Sequence, residues 1–253
     1  MTRTGKIIYF GFWLFFFGGI VNAAPEKQII QFLADMDDAP PFLIFNGDMP
    51  TGGIEYDMEL ALAKQLKAEA AFIPTPQRRI NEFMASGRTD GFCYFTPEWL
   101  EVPATWSIPW LKHTDVLVSS GRVPMLMHWG DLKGKHIGTV IGYHYPKIQH
   151  TGYIRDDVID PLRNLDKLKI GRFDYAATDL TTFLYYLSFH NSFKNYNVIK
   201  MQDYQLQCGF SLKSKVDIKA VNQAIARMQN DGEIKRIIVK YRPSYPVQIS
   251  TID

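Results

Sequence analysis

The chain has few of the residues that usually mark a metal centre or a catalytic site. Its 253 residues include 2 cysteines and 6 histidines, and no pair of histidines has the spacing of metal ligands. It contains no nucleophile elbow, phosphate-binding glycine loop or dinucleotide-binding fingerprint. We therefore expect no metal, no cofactor and no catalytic residues, and hence a protein that is not an enzyme.

An excess of charge of one sign is also missing. The chain has 28 basic and 26 acidic residues. The first 23 residues hold two of the basic residues, Arg3 and Lys6, and none of the acidic ones, so the remainder is formally neutral. A neutral chain has no overall field that attracts nucleic acid or a membrane surface, and we expect neither as a partner.

Only one long apolar run is present, at residues 7–21, directly behind Arg3 and Lys6. It is followed by Val21-Asn22-Ala23, which places small residues where a signal peptidase cleaves. The run of roughly 15 residues is short for a membrane-spanning helix, which needs about 20. We expect residues 1–23 to be a cleaved signal peptide rather than a retained anchor, with no cysteine for lipid attachment. The mature chain is then expected in a Gram-negative periplasm.

The two cysteines, Cys93 and Cys208, lie in apolar runs that resemble strands. An exported protein can form a disulfide, but two buried thiols that pack as small apolar groups are an equally ordinary arrangement. The sequence leaves both possibilities open.

A weak internal repeat predicts the architecture. Apolar residues at helical spacing precede Gly87-Arg88-Thr89-Asp90, and a similar stripe precedes Gly171-Arg172-Phe173-Asp174; each is followed by an apolar strand-like run. Glycine suits the left-handed backbone at a helix end, and aspartate can accept hydrogen bonds from amides in the turn. Helices that alternate with strands in this way predict an α/β fold with mainly parallel sheets.

Several short stretches of the chain follow one another in a recognisable order: Ala39-Pro40-Pro41-Phe42, residues 53–61, Gly87-Arg88-Thr89-Asp90-Gly91, Thr96-Pro97-Glu98, residues 106–110, residues 131–138, Gly171-Arg172-Phe173-Asp174 with Asp179, and Asn222 with Asp231-Gly232. With these stretches the chain resembles the bacterial extracellular solute-binding proteins of family 3, which include the polar amino-acid-binding subunits of ABC importers. No single stretch is specific, but their order and spacing together are.

The resemblance implies a type II periplasmic-binding-protein fold of the α/β class. Two lobes, each a mainly parallel sheet flanked by helices, would be joined by two crossing strands and would close on a ligand by a hinge. We expect residues 24–111 and 208–253 to form the first lobe and residues 112–207 the second.

The family pattern also implies site residues, with one departure. Members that bind amino acids usually have an arginine after Thr-Pro-Glu, where it grips the ligand carboxylate; this chain has Trp99. Trp99 could stack on the ligand or simply pack in the core. Arg79, which with Arg78 begins a helix, could replace the missing arginine or be a solvated surface residue.

In the second lobe, Asp179 matches the acid that the family places against the ligand ammonium, and it could equally cap the helix that follows. Gly142 matches a glycine loop, but Tyr143 and His144 replace the small hydroxyl residues that usually come next. With Phe42 from the first lobe, these bulky side chains predict a narrow pocket or a flat, stacked ligand.

We expect a monomer that binds a small polar solute, amino-acid-like or amino-acid-derived, for an inner-membrane ABC permease. A protein that presents its ligand to a membrane receptor, or a cleft enzyme of the dehydratase type, is the alternative.

Overall fold

The computed structural model describes residues 27–190, 196–242 and 246–252, so the expected signal peptide lies outside the described residues. The strands are β1 (Ile29–Asp35), β2 (Ile44–Asn46), β3 (Met49–Gly52), β4 (Glu69–Thr75), β5 (Gly91–Phe95), β6 (Ala104–Trp106), β7 (Leu111–Ser120), β8 (His136–Val140), β9 (Ile154–Val158), β10 (Tyr175–Asp179), β11 (Tyr196–Ser211) and β12 (Ile249–Ser250). The helices are α1 (Ile54–Gln65), α2 (Ile80–Ser86), α3 (Pro161–Ile170), α4 (Leu180–Phe189), α5 (Ile218–Asn230) and α6 (Glu233–Tyr241).

Two long strands connect the two halves of the molecule. The main sheet has the order β4-β1-β5-β11-β7-β10-β8-β9, with β6 and β12 also paired to β11. Strands β7 and β11 run antiparallel to each other over most of their length. We call the half that contains β1 to β6, α1, α2, α5 and α6 lobe 1, and the half that contains β8 to β10, α3 and α4 lobe 2.

Within each lobe the sheet is mainly parallel. Strand β1 is parallel to β4 and β5, and β8 is parallel to β9 and β10. The antiparallel pairs of the main sheet involve the crossing strands β7 and β11, and β2 and β3 form a separate antiparallel pair. The predicted α/β class with two crossing strands is therefore confirmed.

Each lobe has its own apolar core. In lobe 1 the buried face of α1 packs with α5, α6 and the sheet, and residues such as Met58, Leu62 and Ile225 are fully buried. In lobe 2 one core contains Leu165 and Phe183, and a second contains Ile137 and Leu132. Within the described part of the chain, no helix is long and apolar enough to cross a bilayer.

The repeat that the sequence indicated is also present in the structure, as a helix that ends at a glycine in each lobe. Helix α2 ends at Gly87 with φ 74°, and α3 ends at Gly171 with φ 82°, both in the left-handed region. Asp90 accepts a hydrogen bond from the amide of Gln31 at 2.8 Å, which ties the first turn to β1. The same glycine-capped turn therefore feeds a strand in each lobe.

The question about the cysteines is decided in favour of a disulfide. Cys93 on β5 and Cys208 on β11 are bonded to each other, and both are fully buried. They lie where the register between the two strands is irregular, between Gln207 and Gly209. The bond fastens the crossing strand β11 to the sheet of lobe 1.

The end of the chain departs from the expected division. We assigned residues 208–253 to the first lobe, yet β12 pairs with Val198 and Ile199 in the lobe 2 half of β11. Parallel pairing with a free edge of that strand draws this last segment across to lobe 2. The other expected lobe boundaries stay predictions.

Candidate functional site

The ends of four strands meet between the lobes. Strand β1 ends at Asp35 and β10 at Asp179, while β5 and β8 end at Phe95 and Val140. In open parallel sheets the carboxyl ends of the strands face the crevice in which ligands bind. The crevice between the lobes is therefore the candidate site.

Contacts between the lobes are made beside this crevice. The hydroxyl of Tyr143, in the loop after β8, donates a long hydrogen bond of 3.4 Å to Asp38 Oδ1 of lobe 1. Gly142 has φ +80°, and a Cβ added there would lie 2.8 Å from Gln77 Oε1 of lobe 1. A side chain at position 142 would therefore strain the loop, and Gln77 would have to move to make room for it.

Asp179 belongs to a capping interaction as well as to the crevice. Its Oδ1 accepts a hydrogen bond of 2.8 Å from the amide of Thr182, so Asp179 is the N-cap of α4. It is buried and lies opposite Asp115 of β7 in the antiparallel register. The carboxylate also has a second oxygen. Its negative charge shifts the pKa values of groups in both lobes, which are given below.

A hydrogen-bonded series of side chains lines the base of the crevice. His113 contacts the hydroxyl of Tyr94 through Nδ1 and Asp115 Oδ1 through Nε2, each at 3.0 Å. Burial opposes protonation of the imidazole, but the hydrogen bond to Asp115 and the charges of Asp179 and Asp115 outweigh it, so the pKa of His113 is raised. Burial also raises the pKa of Asp115, although His113 opposes that shift.

Two carboxyls of lobe 1 face this group. Burial is the main cause that raises the pKa of Asp35 to about 7, with a smaller contribution from the charge of Asp37. Burial also raises the pKa of Asp38 well above its usual value, and the charges of Asp35 and Asp179 add to the shift. Asp38 and Asp179 come from different lobes, so like charges meet across the crevice.

The acidic group continues into lobe 1 along α1. Glu55 and Glu59 are buried, and burial raises the pKa of each. The charges of Glu59, Asp38 and Asp35 raise the pKa of Glu55 further. Glu59 accepts a hydrogen bond of 2.9 Å from the amide of Cys93, while its other oxygen has no partner among the described residues.

No lysine or arginine of the described residues forms an ion pair with these acids. The chain contains 28 basic residues. In the part that the structure describes, none forms an ion pair within 4.0 Å with any of five acids: Asp35, Asp38, Glu55, Glu59 and Asp179. Over the same ranges, no group of three or more acidic, histidine or cysteine side chains is arranged to hold a metal ion.

Comparison with known proteins matches this architecture. Residues 33–244 match the family described as bacterial extracellular solute-binding proteins, family 3. The chain belongs to this family. As a member, it is a solute-binding protein, and the resemblance noted in the sequence is confirmed.

Relatives of this solute-binding protein cover most of its length. The L-cystine-binding protein TcyJ of Escherichia coli (strain K12) is 27% identical over 233 residues, which are 88% of this chain and 86% of that protein. A solved structure of an ancestral arginine-binding protein bound to glutamine has a TM-score of 0.69 at 20% identity, covering 85% of this chain and 98% of that chain. The GluR0 ligand-binding core in complex with L-glutamate has a TM-score of 0.71 at 17% identity, covering 87% and 100%. Both structures share the two-lobed fold.

The predicted site residues of the solute-binding protein separate into two groups. Tyr143 and Asp179 lie at the crevice, while Phe42 is buried with the lobe 1 core and packs at a tilt of 31° against Tyr94, with ring centroids 4.0 Å apart. The charge of Asp179 also raises the pKa of Tyr94 and of Tyr143, after burial, which is the largest cause for both.

Trp99, Arg79 and His144 lie in other surroundings. Trp99 contacts His113 and Tyr204 edge-on, with centroid distances of 5.6 and 5.0 Å, and packs beside the lobe 1 core. The guanidinium of Arg79 makes two hydrogen bonds to Glu82, at 2.9 and 3.0 Å. The side chain of His144 is exposed.

Sequence reasoning missed the acids of lobe 1 and the pair on β7. Asp35 is the last residue of β1, and Asp38 lies in the turn that follows, two residues before Pro40. His113 and Asp115 are two residues apart on one strand, and alternation places them on the same face. Both patterns were available in the sequence, but only the fold shows that they face Asp179.

Proposed function

We propose that this protein captures a small polar solute that carries an ammonium group, holds it in the crevice between its lobes, and delivers it to an ABC importer. The observation that supports this most directly is the set of carboxyls from both lobes, Asp38, Asp115 and Asp179, which form no ion pair with a lysine or arginine of the described residues; His113 bonds Asp115. The name of the L-cystine-binding relative adds support for an amino-acid-like or amino-acid-derived solute.

A cation is the charge that these acids can bind. Taking carboxylates out of water costs free energy, and a hydrogen-bonded opposite charge offsets that cost better in a closed, water-poor cleft than on a surface. Asp179 is held in place by its bond to the Thr182 amide, so its orientation is set before the solute arrives. A fixed carboxylate loses little conformational freedom when it binds an ammonium group.

Aromatic rings complete the proposed site. Tyr143 bonds Asp38, and we propose that its ring and that of Phe42 contact the solute; a ring face attracts a cation by about 0.5–1 kcal/mol at an exposed site and about 2 kcal/mol when water is excluded. Trp99 contributes indirectly, because it packs against His113. Arg79 would have to leave Glu82 to reach a solute, so we give it no direct contact; exposed His144 is placed at the rim.

Closure links binding to delivery. Strands β7 and β11 are the covalent connections at the hinge, and a cation that neutralises Asp38 and Asp179 favours the arrangement in which Tyr143 contacts Asp38. A permease in the inner membrane would then distinguish the closed form from the open one. We propose that the protein is a monomer that acts by binding without turnover.

Export through a cleaved signal peptide belongs to the same proposal. The apolar run at residues 7–21 and the small residues Val21-Asn22-Ala23 support cleavage after Ala23 and a periplasmic location. Mass spectrometry of the protein from a periplasmic extract should find a chain that begins at Ala24. A full-length chain in the membrane fraction would contradict export in this form.

A ligand screen tests the proposed function. Mature protein is melted in the presence of small amines, amino acids, sugars and carboxylic acids, and hits are measured by titration calorimetry. A ligand present at 100 times its dissociation constant should add ~2.7 kcal/mol to the free energy of unfolding. The recovered ligand should be chemically unchanged, and deletion of the gene should reduce its uptake. Binding confined to neutral sugars or anions would refute the proposal.

A further inference from the structure

We propose, building on the proposed function, that Arg155 is a positioning residue: its guanidinium fixes the turn after β8 so that Tyr143 meets Asp38 of lobe 1 when the lobes close on the solute. Arg155 acts through Tyr143 and does not touch the solute itself. One side chain bonds both ends of one turn, and that turn carries a contact between the lobes.

The turn follows β8 directly. The amide of Tyr143 donates to the carbonyl of Val140 at 3.1 Å, which closes a turn of four residues. Gly142, the third of them, has φ +80°, the left-handed backbone that a type II turn requires at this position. The amide of Ile141 donates to the carbonyl of Val158 at 2.9 Å, so the first half of the turn is tied to β9. The second half carries Tyr143 towards lobe 1.

Arg155, on β9, holds both ends of this turn. Its Nη2 donates to the carbonyl of Val140 at 2.9 Å, and its Nη1 donates to the carbonyl of Tyr143 at 3.2 Å. The guanidinium is planar and keeps its donors in a fixed fork, so the two bonds set the position of one carbonyl relative to the other. The direction in which the chain leaves the turn, and with it the position of the Tyr143 ring, therefore depends on Arg155.

The guanidinium is itself held in place from the sheet. Asp157 lies two residues after Arg155 on the same face of β9, and its Oδ1 accepts from Nη2 at 2.7 Å and from Nε at 3.1 Å. The same oxygen accepts from the hydroxyl of Thr139 at 2.7 Å, and Thr139 is fully buried in β8. The orientation of Arg155 is thus fixed before any solute arrives.

The ion pair adds little to the stability of the fold. The side chains of Arg155 and Asp157 are 35% and 39% exposed, and pairs at such exposure contribute weakly to the free energy of unfolding. Its consequence is local: it orders an arginine that in turn orders a loop. Removal of Arg155 should therefore disturb the turn much more than the melting temperature.

The turn meets an ordered part of lobe 1. The Tyr143 hydroxyl donates to Asp38 Oδ1 at 3.4 Å, and a Cβ added at Gly142 would lie 2.8 Å from Gln77 Oε1. Gln77 is held in turn, because its amide donates to Asp37 Oδ2 at 2.9 Å. A hydrogen bond as long as that of Tyr143 is lost on a small further displacement. The contact between the lobes therefore requires the turn in this one conformation.

A turn that is already ordered favours closure. A loop that must be ordered when the solute binds costs conformational entropy, and a preformed loop avoids that cost. The contact of Tyr143 with lobe 1 forms after the solute has entered the crevice. Loss of the positioning should therefore raise the rate of solute dissociation, with little change in the rate of association.

The first experiment measures the turn without any solute. Amide hydrogen exchange of the ligand-free mature protein, followed by NMR, reports on the Tyr143 amide, which donates within the turn. Arg155→Gln should make this amide exchange at least about tenfold faster. Arg155→Lys keeps the charge but lacks the planar fork, so it should also speed exchange. Exchange at the wild-type rate in Arg155→Lys would show that charge alone suffices and would overturn the inference.

Arg122→Gln is the matched control. Arg122 also donates to a backbone carbonyl of lobe 2, that of Leu168 at 3.1 Å, but it does so beside Gly171, before β10 begins and away from the crevice end of that strand. The variant should leave both the exchange of the Tyr143 amide and solute binding unchanged. Equal effects of Arg122→Gln and Arg155→Gln would indicate general loosening of lobe 2 and contradict a specific role of Arg155.

The second experiment measures binding. L-cystine, L-arginine, L-lysine and cadaverine are the probes, in titration calorimetry and stopped-flow measurements. For each probe that binds the wild type, Arg155→Gln should weaken affinity by at least about threefold, mostly through faster dissociation. In the Tyr143→Phe background the same change should cost much less, because the hydroxyl that Arg155 positions is gone. Additive losses would show that Arg155 does not act through Tyr143 and would overturn the inference.

The two experiments separate this inference from the proposed function. An unchanged exchange rate in Arg155→Gln would overturn the inference and leave the proposed function intact. If neither the probes nor any other ammonium compound bound the wild type, the proposed function would fail, and the exchange rate would still decide whether Arg155 fixes the turn. If Arg155→Gln does not fold, Asp157→Asn undergoes the same measurements, since it loosens the guanidinium while Arg155 stays in place.

Discussion

Tyr143 and Asp38 join the two lobes through a hydrogen bond of 3.4 Å between the phenol hydroxyl and Oδ1. The same Asp38 faces the charge of Asp179, which comes from the lobe that carries Tyr143. The lobes are therefore linked by one hydrogen bond and subject to one charge repulsion at the same residue. Neutralising the carboxylates, by a bound cation or by protons, shifts the balance towards closure.

The first prediction concerns Tyr143→Phe, which removes the hydroxyl and keeps the ring. Loss of one hydrogen bond to a carboxyl should weaken solute affinity by about three- to tenfold, because the closed form loses a contact that the open form lacks. Small-angle scattering at saturating ligand should show that more ligand is needed to reach the compact form.

Tyr186→Phe is the matched control for that variant. Its hydroxyl donates to Asp166 at 2.8 Å within lobe 2, so its removal should lower the melting temperature without changing affinity. Equal affinity losses in the two variants would show that the effect of Tyr143→Phe is not specific to the contact between the lobes.

The second prediction concerns Asp179→Asn. Asparagine also caps helices well, so the ligand-free stability should stay nearly unchanged while solute affinity falls by roughly 2–5 kcal/mol. Titration calorimetry with the ligand from the screen, alongside melting of the ligand-free proteins, measures both quantities.

Asp217→Asn provides the control, since Asp217 is an exposed N-cap that accepts from the Lys219 amide at 2.9 Å on α5. It should change neither quantity. Unaltered affinity of Asp179→Asn for a cationic solute would restrict Asp179 to its capping role.

The third prediction concerns the disulfide. Replacing Cys93 and Cys208 together by alanine should lower the free energy of unfolding by about 2–5 kcal/mol, because the bond closes a long loop in the unfolded chain. The two residues are 115 positions apart in the sequence. Denaturant unfolding measures the loss.

Treatment with a reductant is the control for this double variant. It should lower the stability of the wild-type protein towards that of the double variant, and it should not affect the variant. Identical unfolding curves of oxidised wild type and double variant would contradict a stabilising role for the bond.

The fourth prediction concerns pH. In the folded protein, burial raises the pKa of Asp35 to about 7, so folded chains bind protons more strongly than unfolded ones between about pH 4 and about pH 7. Stability of the ligand-free protein should therefore fall as pH rises through this range. The raised pKa of His113 acts in the same direction, since its stabilising protonated form is lost as pH rises.

Melting temperatures at about pH 5 and about pH 8 test this dependence. Asp35→Asn should reduce the difference between them, because asparagine does not ionise beside Asp37, Asp38 and Glu55. Asp231→Asn, at an exposed acid that bonds the Glu233 amide, should leave the difference as it is. A melting temperature that rises between the two pH values would contradict the assignment of raised pKa values to this group.

Local sequence patterns predicted much of the fold. Apolar spacing and glycine at helix ends predicted α2 and α3, and the turns at Gly87 and Gly171 form as the repeat indicated. Asp179 was identified by its match to the family pattern, and the helix cap that the sequence also allowed is found at the Thr182 amide. These features depend on neighbours within a few residues, so the sequence shows them directly.

Other features depend on residues that are far apart in the chain. Cys93 and Cys208 looked the same whether bonded or free, because only the pairing of β5 with β11 brings them together. Arg79 had the right charge for a ligand carboxylate, but Glu82, one helical turn away, engages it.

The sequence by itself determined the family, the α/β class, the repeated helix-turn-strand units and the possible helix cap at Asp179, since all of these rest on local order and spacing. Only the tertiary structure decided that Asp35, Asp38, Glu55 and Asp179 form one group across two lobes. Charge acts over distance in space, and burial multiplies its effect on pKa. The sequence shows neither how deeply an acidic side chain is buried nor which charged groups lie near it, because both depend on how the strands pack side by side.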